Sequence, residues 1–544
     1  MLAPTAEQIR ILEETDSCVV IARPGSGKTF TIAEKIRRIL PTLPHFKGVI
    51  AISYTNKASD ELKRRTLAGG FDPKNTFFGT IDKFFLVEII CSFGRHLFGR
   101  PATEPQVVRF EELSPDEHAG WNVSEVSLNA FSASTAAWYG KLFLAGKTVL
   151  ECSGGAAVWI LQNSPAARRY IKARYSWIFI DEYQDCGHWQ DRVFLGLSKI
   201  IKAVAVGDLN QSIYGFAKKD PKYLEALTAN SRFKVHALTA NHRSHVSIVN
   251  YSTRLLAEDF QPLPADGIRV HYRRVSGDET SIGLWIGDVL PTICSHYKVN
   301  SLNQVGILAA SGRTLHLVSQ GLKRRQVKHK VREESALDRD TSLWAALFRS
   351  LLSWLHSAEP SKYEVVDQYL DVVSSRLAAK RLLADLRKLE VSIKNKGVDI
   401  NEKKERFVAI AKALMPSAEN RGAIGSLMGV LGNQTELSSY VPIADDEVHL
   451  MTLHKSKGLE FDVVFHLDLY EYILPKYLGD TRQCRNLHYV GITRARTTCF
   501  LVSSSQRHKG ATNSVVDAKP SPFLSTHGLD SLRDSRDVTV DSRI

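Results

Sequence analysis

Several things are scarce or missing in this chain, and each absence narrows what it can be. Its 544 residues hold only seven cysteines, scattered and with no C-x-x-C pair. That pattern predicts neither a zinc site nor a disulfide framework, and the thiols read as reduced and mostly buried in a cytoplasmic protein. No apolar run approaches the roughly 18–20 residues of a membrane span. No charged-then-apolar leader opens the sequence, so no membrane is expected as a partner. Internal repeats are lacking. So is any constellation suited to nuclease chemistry, and the segment after Arg496 is too short for an added nuclease domain. Acidic residues are outnumbered: 58 Asp and Glu against 71 Lys and Arg leave a formal charge of +13. Such a surplus favours an anionic partner, nucleic acid before an acidic protein.

What is present describes a globular, multi-domain chain, with 44% hydrophobic and 24% charged residues. The most informative stretch is "VVIARPGSGKTF", residues 19–30. Cys18 to Ala22 has the apolar, β-branched character of a buried parallel strand. From Phe30 onward, Ile32, Ile36, Ile39 and Leu40 recur at helical spacing. A Gly-rich turn between strand and helix is the setting of a phosphate loop. Gly25 and Gly27 permit the tight turn and inward N–H groups, and the helix start adds positive potential. Lys28 can reach the β- and γ-phosphates and Thr29 can ligate Mg²⁺. Ala22, Arg23, Pro24 and Ser26 complete the loop, with Ala22 where the usual pattern has its first glycine.

Two further strands end in polar groups. In "YSWIFIDEYQD" (175–185), Asp181 is placed to hold Mg²⁺ and Glu182 to activate a water. In "AVAVGDLNQSIYGF" (203–216), Gln211 can report on the γ-phosphate, while Tyr214 and Phe216 offer faces to bases. Solvated strand-end acids and core aromatics are the plainer readings of the same residues.

Together "ARPGSGKT", "IDEYQD" and "VGDLNQSIYGF" resemble the superfamily 1A helicases of the UvrD/Rep/PcrA kind. Other matches follow in family order. "LAPTAEQIRILE" resembles the adenine-reading motif, with Gln8 as reader. "ISYTNKASDELKRR" (52–65) and "FFGTIDKFF" (77–85) are similar to two DNA-contacting segments. "LTANHRS" (238–244) resembles motif IV, which makes Arg243 a γ-phosphate contact. "LMTLHKSKGLEFDVVF" (450–465) resembles motif V, with Glu460 near the ribose. "LHYVGITRAR" (487–496) resembles motif VI, with Arg494 as arginine finger, and "PSPFL" (520–524) resembles the segment closing the last core.

The resemblance implies an α/β fold of two RecA-like (P-loop NTPase) parallel-sheet domains with helical insertion subdomains. Residues 1–88 and 170–240 would form the first core, and 241–332 with 446–526 the second. Reduced helical insertions would occupy 89–169 and 333–445, and 527–544 would be a loose tail. Arg243 and Arg494 would then come from a different domain than Lys28, coupling hydrolysis to domain motion. Single-stranded and tailed duplex DNA are the expected partners. Tyr54, Phe84, Tyr214 and Phe216 are candidate stacking faces, and Thr55, Asn56, Lys57, Thr80, Thr452, His454 and Lys457 candidate phosphate contacts.

The chain departs from the family in three ways. Phe30 and His242 stand where Arg and Tyr usually sandwich the adenine, leaving base selectivity open. Ala217, Lys218 and Lys219 follow Phe216 in place of Arg-Gly. The insertions are short. The basic run "GLKRRQVKHKVR" (321–332) reads either as a backbone-binding patch or as a solvated helix and strand. The polar stretch 503–519 reads as linker. The resemblance implies ATP-driven, 3′-to-5′ movement on single strands. The rival reading is an ATP- and DNA-sensing subunit that regulates a partner nuclease, because the compact chain also resembles the helicase subunit of the Gabija anti-phage system. An inactive scaffold is disfavoured, since the catalytic acids and basic contacts are all present.

Overall fold

A computed structural model of the chain describes residues 3–540, apart from 55, 104, 120–129, 214–219, 333–334, 341, 357–361, 363–364, 367–375, 396, 416–418, 477–480 and 510–513. They divide into two compact units, 1–244 and 245–544.

The described residues of the first unit include eight strands: β1 (Cys18–Ala22), β2 (Gly48–Ile52), β3 (Phe77–Gly79), β4 (Gln106–Val108), β5 (Lys147–Val149), β6 (Tyr175–Ile180), β7 (Lys202–Gly207) and β8 (Lys234–Leu238). Six form one parallel sheet in the order β3-β2-β6-β7-β1-β8, and β4 pairs with β5 alone. The inner strands are largely apolar because both faces are covered, whereas the edge strand β8 leaves Lys234, Val235 and Ala237 exposed. Alternate side chains go to opposite faces. Val19, Ile50, Ile178 and Ala203 join one core, and Val20, Val49, Phe179 and Val204 join the other. The first of these cores extends into the segment 89–169, whose helices Ala133–Leu144 and Ser153–Asn163 add Tyr139, Phe143 and Ile160 to it. That insertion therefore shares the sheet's core.

In the second unit, β9 (Val270–Val275), β10 (Val305–Ala309), β11 (His329–Arg332), β12 (Val448–Thr452), β13 (Phe461–His466), β14 (Ala495–Ser504) and β17 (Asp534–Val538) form a parallel sheet, ordered β11-β12-β10-β13-β14-β9-β17. Strands β15 (Gln506–His508) and β16 (Val515–Asp517) make an antiparallel hairpin. Between β11 and β12 the helices Leu343–His356, Arg376–Lys394, Ile400–Leu414 and Arg421–Gly432 pack round Trp344, Phe348, Leu386, Phe407 and Leu427, a core of their own. Two parallel α/β sheets flanked by helices make this a pair of RecA-like cores.

Three sequence expectations need correction or completion. The tail expected over 527–544 is ordered through its described residues: a 3₁₀ segment, Thr526–Leu532, buries Leu529, and β17 pairs with β9 as an edge strand. The stretch 503–519 is not a linker, for Ser503 and Ser504 finish β14 and the hairpin follows. The basic run 321–332 is the end of helix Gly312–Arg324 followed by strand β11.

Candidate nucleotide and nucleic-acid site

The first sheet leads directly into the opening motif. Strand β1 delivers Ala22 into the loop 23–27, and the helix Lys28–Ile39 begins at once. Gly25 has φ +72° and Gly27 φ +80°, a region closed to most side chains. A Cβ on Gly25 would lie 2.8 Å from Arg243 Cβ, and one on Gly27 2.8 Å from Gln8 Nε2. Both glycines are thus needed for conformation and for space. Gln8 sits on helix Ala6–Glu13, which starts in a capping box with Thr5. It is buried and donates from Nε2 to the Ser26 carbonyl, 3.1 Å away. Helix Lys28–Ile39 has no side-chain cap at Gly27, so its N-terminal potential faces whatever the loop holds. Of the other loop residues, Pro24 and Ser26 are buried, Arg23 and His242 exposed, and Phe30 half-buried.

Across from the loop stand the strand-end acids. Lys28 Nζ lies 3.1 Å from Glu182 Oε1. Thr29 Oγ1 donates to Asp181 Oδ2 at 3.4 Å. Glu182 adopts a left-handed φ of 55° although it is not glycine, a strain that folds tolerate mainly at working sites. Burial, with Glu182 as a second cause, raises the Asp181 carboxyl to about 6. Asp208 is also raised by burial, partly offset by Lys28. Burial works against the Lys28 ammonium, but the carboxylates of Glu182, Asp208 and Asp181 outweigh it and hold its pKa above the usual value. Gln211, buried at the end of β7, donates to Asp208 Oδ2 at 2.8 Å.

Sequence reasoning missed two residues that tie this site together. Gln184, fully buried, donates to Glu182 Oε2 while its Oε1 accepts the Asp208 N–H at 3.0 Å, so it links the ends of β6 and β7. Asn241 donates to the Pro24 carbonyl at 2.9 Å, and its Oδ1 accepts the N–H groups of Arg243 and Ser244 at 2.8 Å each. The His242 N–H donates to Gly25 O at 2.8 Å. Both lie inside quoted motifs, which was the available signal. These bonds also correct an expectation: Arg243 belongs to the first unit, against the phosphate loop, and not to the second.

Because all six strands are parallel, their carboxyl ends form one row. Its order is Thr80 after β3, Tyr54 after β2, Asp181 and Glu182 after β6, Asp208 after β7, the phosphate loop after β1, and Asn241 to Arg243 after β8. Candidate DNA contacts thus neighbour the acids on one side, and the nucleotide loop neighbours them on the other. Tyr54 is half-buried. Thr80 caps helix Ile81–Phe84 by accepting the Lys83 N–H. Phe84 is a correction. It is fully buried, edge-on to Phe77 at 5.3 Å, and so unavailable to a base. Asn56 begins helix Asn56–Leu67, with Lys57 next. Thr55, Tyr214, Phe216 and Lys218 lie outside the described residues.

The second unit divides its candidates between two sheet edges. Thr452 ends β12 at the carboxyl edge, and His454 and Lys457 follow, all half-buried. Glu460, exposed, and Arg494 stand just before β13 and β14 at the amino edge, where Phe461 N–H donates to Arg494 O at 2.9 Å. The Arg494 guanidinium is buried and donates to the carbonyls of Val490 (3.1 Å) and Leu459 (3.3 Å).

Mg²⁺ suits the donors at the loop. One hydroxyl and one carboxylate, Thr29 and Asp181, already converge, and octahedral Mg²⁺ commonly completes its shell with phosphate and water. The glycine cradle and Lys28 fit a triphosphate.

Fold and loop together define a P-loop NTPase with two RecA-like cores. The comparisons narrow this. Residues 6–217 match the AAA domain family, and 352–506 match the UvrD-like helicase C-terminal domain. Gabija protein GajB of Bacillus cereus is 25% identical over 507 residues, 92% of this chain and 95% of that one. ATP-dependent DNA helicase Rep of Buchnera aphidicola is 24% identical over 626 aligned residues, covering 93% and 92%. ATP-dependent DNA helicase UvrD2 of Mycobacterium tuberculosis is 26% identical over 386 residues, 67% of this chain but 52% of that longer protein. The chain belongs to the UvrD/Rep-like superfamily 1 helicases. No helix among the described residues is long and apolar enough to cross a membrane.

Proposed function

We propose that the chain is an ATP-driven motor on single-stranded DNA, moving 3′ to 5′. The observation that carries this reading is the junction of Lys28, Glu182, Gln184, Asp208 and Gln211, which connects the phosphate loop to two neighbouring strand ends. ATP would lie along the loop, its base against Gln8 with Phe30 and His242 on either side, its phosphates on the N–H groups of residues 25–29 and on Lys28. Arg243 would reach the γ-phosphate from within the same unit, and Arg494 would act as the arginine finger, with Glu460 near the ribose. Mg²⁺, held by Thr29 and Asp181, would supply charge neutralisation at the β- and γ-phosphates. Glu182 takes the proton of the attacking water as the new P–O bond forms and ADP leaves. Gln211, bound to Asp208, passes the state of the phosphate towards Tyr54, Asn56, Lys57 and Thr80. On the second unit, Thr452, His454 and Lys457 would grip the same strand. The test is ATP turnover with and without single strands, beside unwinding of 3′- and 5′-tailed duplexes. Turnover indifferent to DNA sinks the reading; preference for the 5′ tail reverses the polarity.

A second use of the same machinery is suggested by GajB, whose alignment runs nearly end to end in both proteins, as does that with Rep. In that reading the chain is a DNA-sensing ATPase that regulates a partner nuclease in phage defence and unwinds little. DNA-stimulated turnover without strand displacement, together with altered cleavage by a co-expressed nuclease, would select it.

A further inference from the structure

Helix Ala6–Glu13 carries Gln8, and it is fastened at both ends. At its far end Lys35, buried on the phosphate-loop helix, donates from Nζ to the carbonyls of Ile11 (2.8 Å) and Glu14 (2.5 Å). A cation is favoured at a helix C-terminus. The Glu14 carboxylate is bonded in turn to Lys234 Nζ and His236 Nε2, both at 3.1 Å and both on β8. The far end is therefore locked to the phosphate-loop helix and to the edge strand, whatever happens at the near end.

At the near end two adjacent residues point different ways, because successive side chains on a helix turn by about 100°. Gln8 reaches the phosphate loop at Ser26 O. Glu7, half-buried, reaches the segment that leaves β8. Its Oε2 accepts the N–H groups of Thr239 (2.8 Å) and Ala240 (3.2 Å), and its Oε1 accepts the Thr239 hydroxyl at 2.5 Å. Three donors on one carboxylate make a strong tie, since bonds to an ionised acceptor exceed neutral ones.

The segment so held runs directly on to Asn241, His242 and Arg243. Its start is fixed by Glu7 and its end by the phosphate loop, through Asn241 to Pro24 O and the His242 N–H to Gly25 O. Helix, loop and segment thus form a closed triangle. Gln8 is one side, Glu7 the second, and Asn241 with His242 the third.

Arg243 is read above as the contact to the γ-phosphate. Resting on that reading, we infer that Glu7 is a positioning residue for Arg243. It sets where the segment 239–243 lies over the phosphate loop. Because Glu7 and Gln8 share one helical turn, a base seated against Gln8 steadies the piece of chain that carries the γ-phosphate contact. A displacement of about 1 Å at such a contact costs on the order of a hundredfold in rate.

Three variants of the full chain test this: Glu7→Ala, Glu7→Gln and Thr239→Val. Glu7→Gln keeps an oxygen for the two N–H groups and turns an amide towards a hydroxyl that can also accept. Thr239→Val removes the hydroxyl bond alone. The readouts are the affinities for ADP and for a non-hydrolysable ATP analogue, and kcat for ATP, all without DNA. Glu7→Ala should bind ADP within about twofold of the parent, hold the analogue about tenfold more weakly, and lose about a hundredfold in kcat. Glu7→Gln should stay within about threefold of the parent on all three, and Thr239→Val should fall between the two.

An unchanged analogue affinity and kcat in Glu7→Ala overturns the inference. So does equal weakening of ADP and analogue, which makes Glu7 a support for the helix and nothing more. Should Glu7→Ala fail to fold, Thr239→Val decides, and a parental ratio of analogue to ADP affinity there overturns the inference. A parent that holds the analogue no better than ADP removes the Arg243 contact and the inference with it. Turnover of the parent that ignores single strands sinks the motor reading and leaves this test intact.

Discussion

Each core contains a strand, a short turn and a helix of the same kind, and the two copies are finished in opposite ways. In the first, β1 runs through Gly25 and Gly27 into a helix whose N-terminus has no side-chain cap, and Lys28 and Thr29 line it. In the second, β10 runs through Ala310 and Ser311 into helix Gly312–Arg324. There Ser311 caps the helix and Asp468 places a carboxylate on the N–H groups where an outside anion would otherwise sit. The same geometry is a receptor in one core and a closed structural joint in the other. The buried polar groups follow suit. Around the first loop they are ionised and convergent: Lys28, Asp181, Glu182 and Asp208. In the second core they include histidines kept neutral by burial. His466 is held down to about 3 and His271 and His449 to about 4, and burial also keeps His488 well below the ordinary value, with His488 Nδ1 bonded to His466 Nε2 at 2.9 Å.

The largest expected effect would break the comparison at the open site. Glu182→Gln should lower ATP turnover by about 10²–10⁴-fold while nucleotide binding persists, read by steady-state hydrolysis beside titration with a fluorescent ATP analogue. Turnover within tenfold of the parent would remove Glu182 as base. Next comes a stability effect. Phe84→Ala should cost about 3–5 kcal/mol in the first unit, measured by denaturant unfolding. A loss of DNA affinity with stability intact would restore Phe84 to the DNA surface.

Acid should pull the two units apart. A histidine neutral when folded but protonated when unfolded contributes stability above about pH 6.5, and that stability is lost as pH falls towards the folded value near 4. His271 and His449 together should cost the second unit roughly 3 kcal/mol at pH 5.5. Asp181 has the opposite sign. Its folded value of about 6 exceeds its ordinary value, so the nucleotide-free first unit gains stability as pH falls from about 6 towards 4. Hydrogen exchange by segment at pH 7.5 and 5.5, corrected for intrinsic rates, should show protection falling in β9, β12 and β13 and not in β1 or β6. The smallest effect sharpens the loop itself. Gly25→Ala meets both a positive φ and the Arg243 and Asn241 side chains, and should cost about 1–3 kcal/mol, visible as a lowered Tm and weaker nucleotide binding.

The open site was legible in the sequence because its chemistry is local. "PGSGKT" writes the glycines, the lysine and the hydroxyl in one word, and "IDEYQD" ends an apolar strand on its acids. What stayed hidden needed the third dimension. Phe84 reads the same whether it packs on Phe77 or faces a base, and only the core decides. Arg243 was assigned to the wrong core because motif order does not reveal that Asn241 fastens it to Pro24. The closed joint was invisible, since Asp468 lies far along the chain from Ala310. Strand β17 was read as tail because "DSRDV" lacks an apolar alternation, and an edge strand with mostly exposed side chains has little need of one.

That last strand has a consequence for the order of assembly. The first sheet has all its strands once residue 238 has been made, and can fold while synthesis continues. The second must wait for residues 534–538 to dock beside β9. During translation the half that contains the phosphate loop therefore has its sheet complete long before its counterpart, and until β17 arrives the flank of β9 is an open seam for stray strands to occupy.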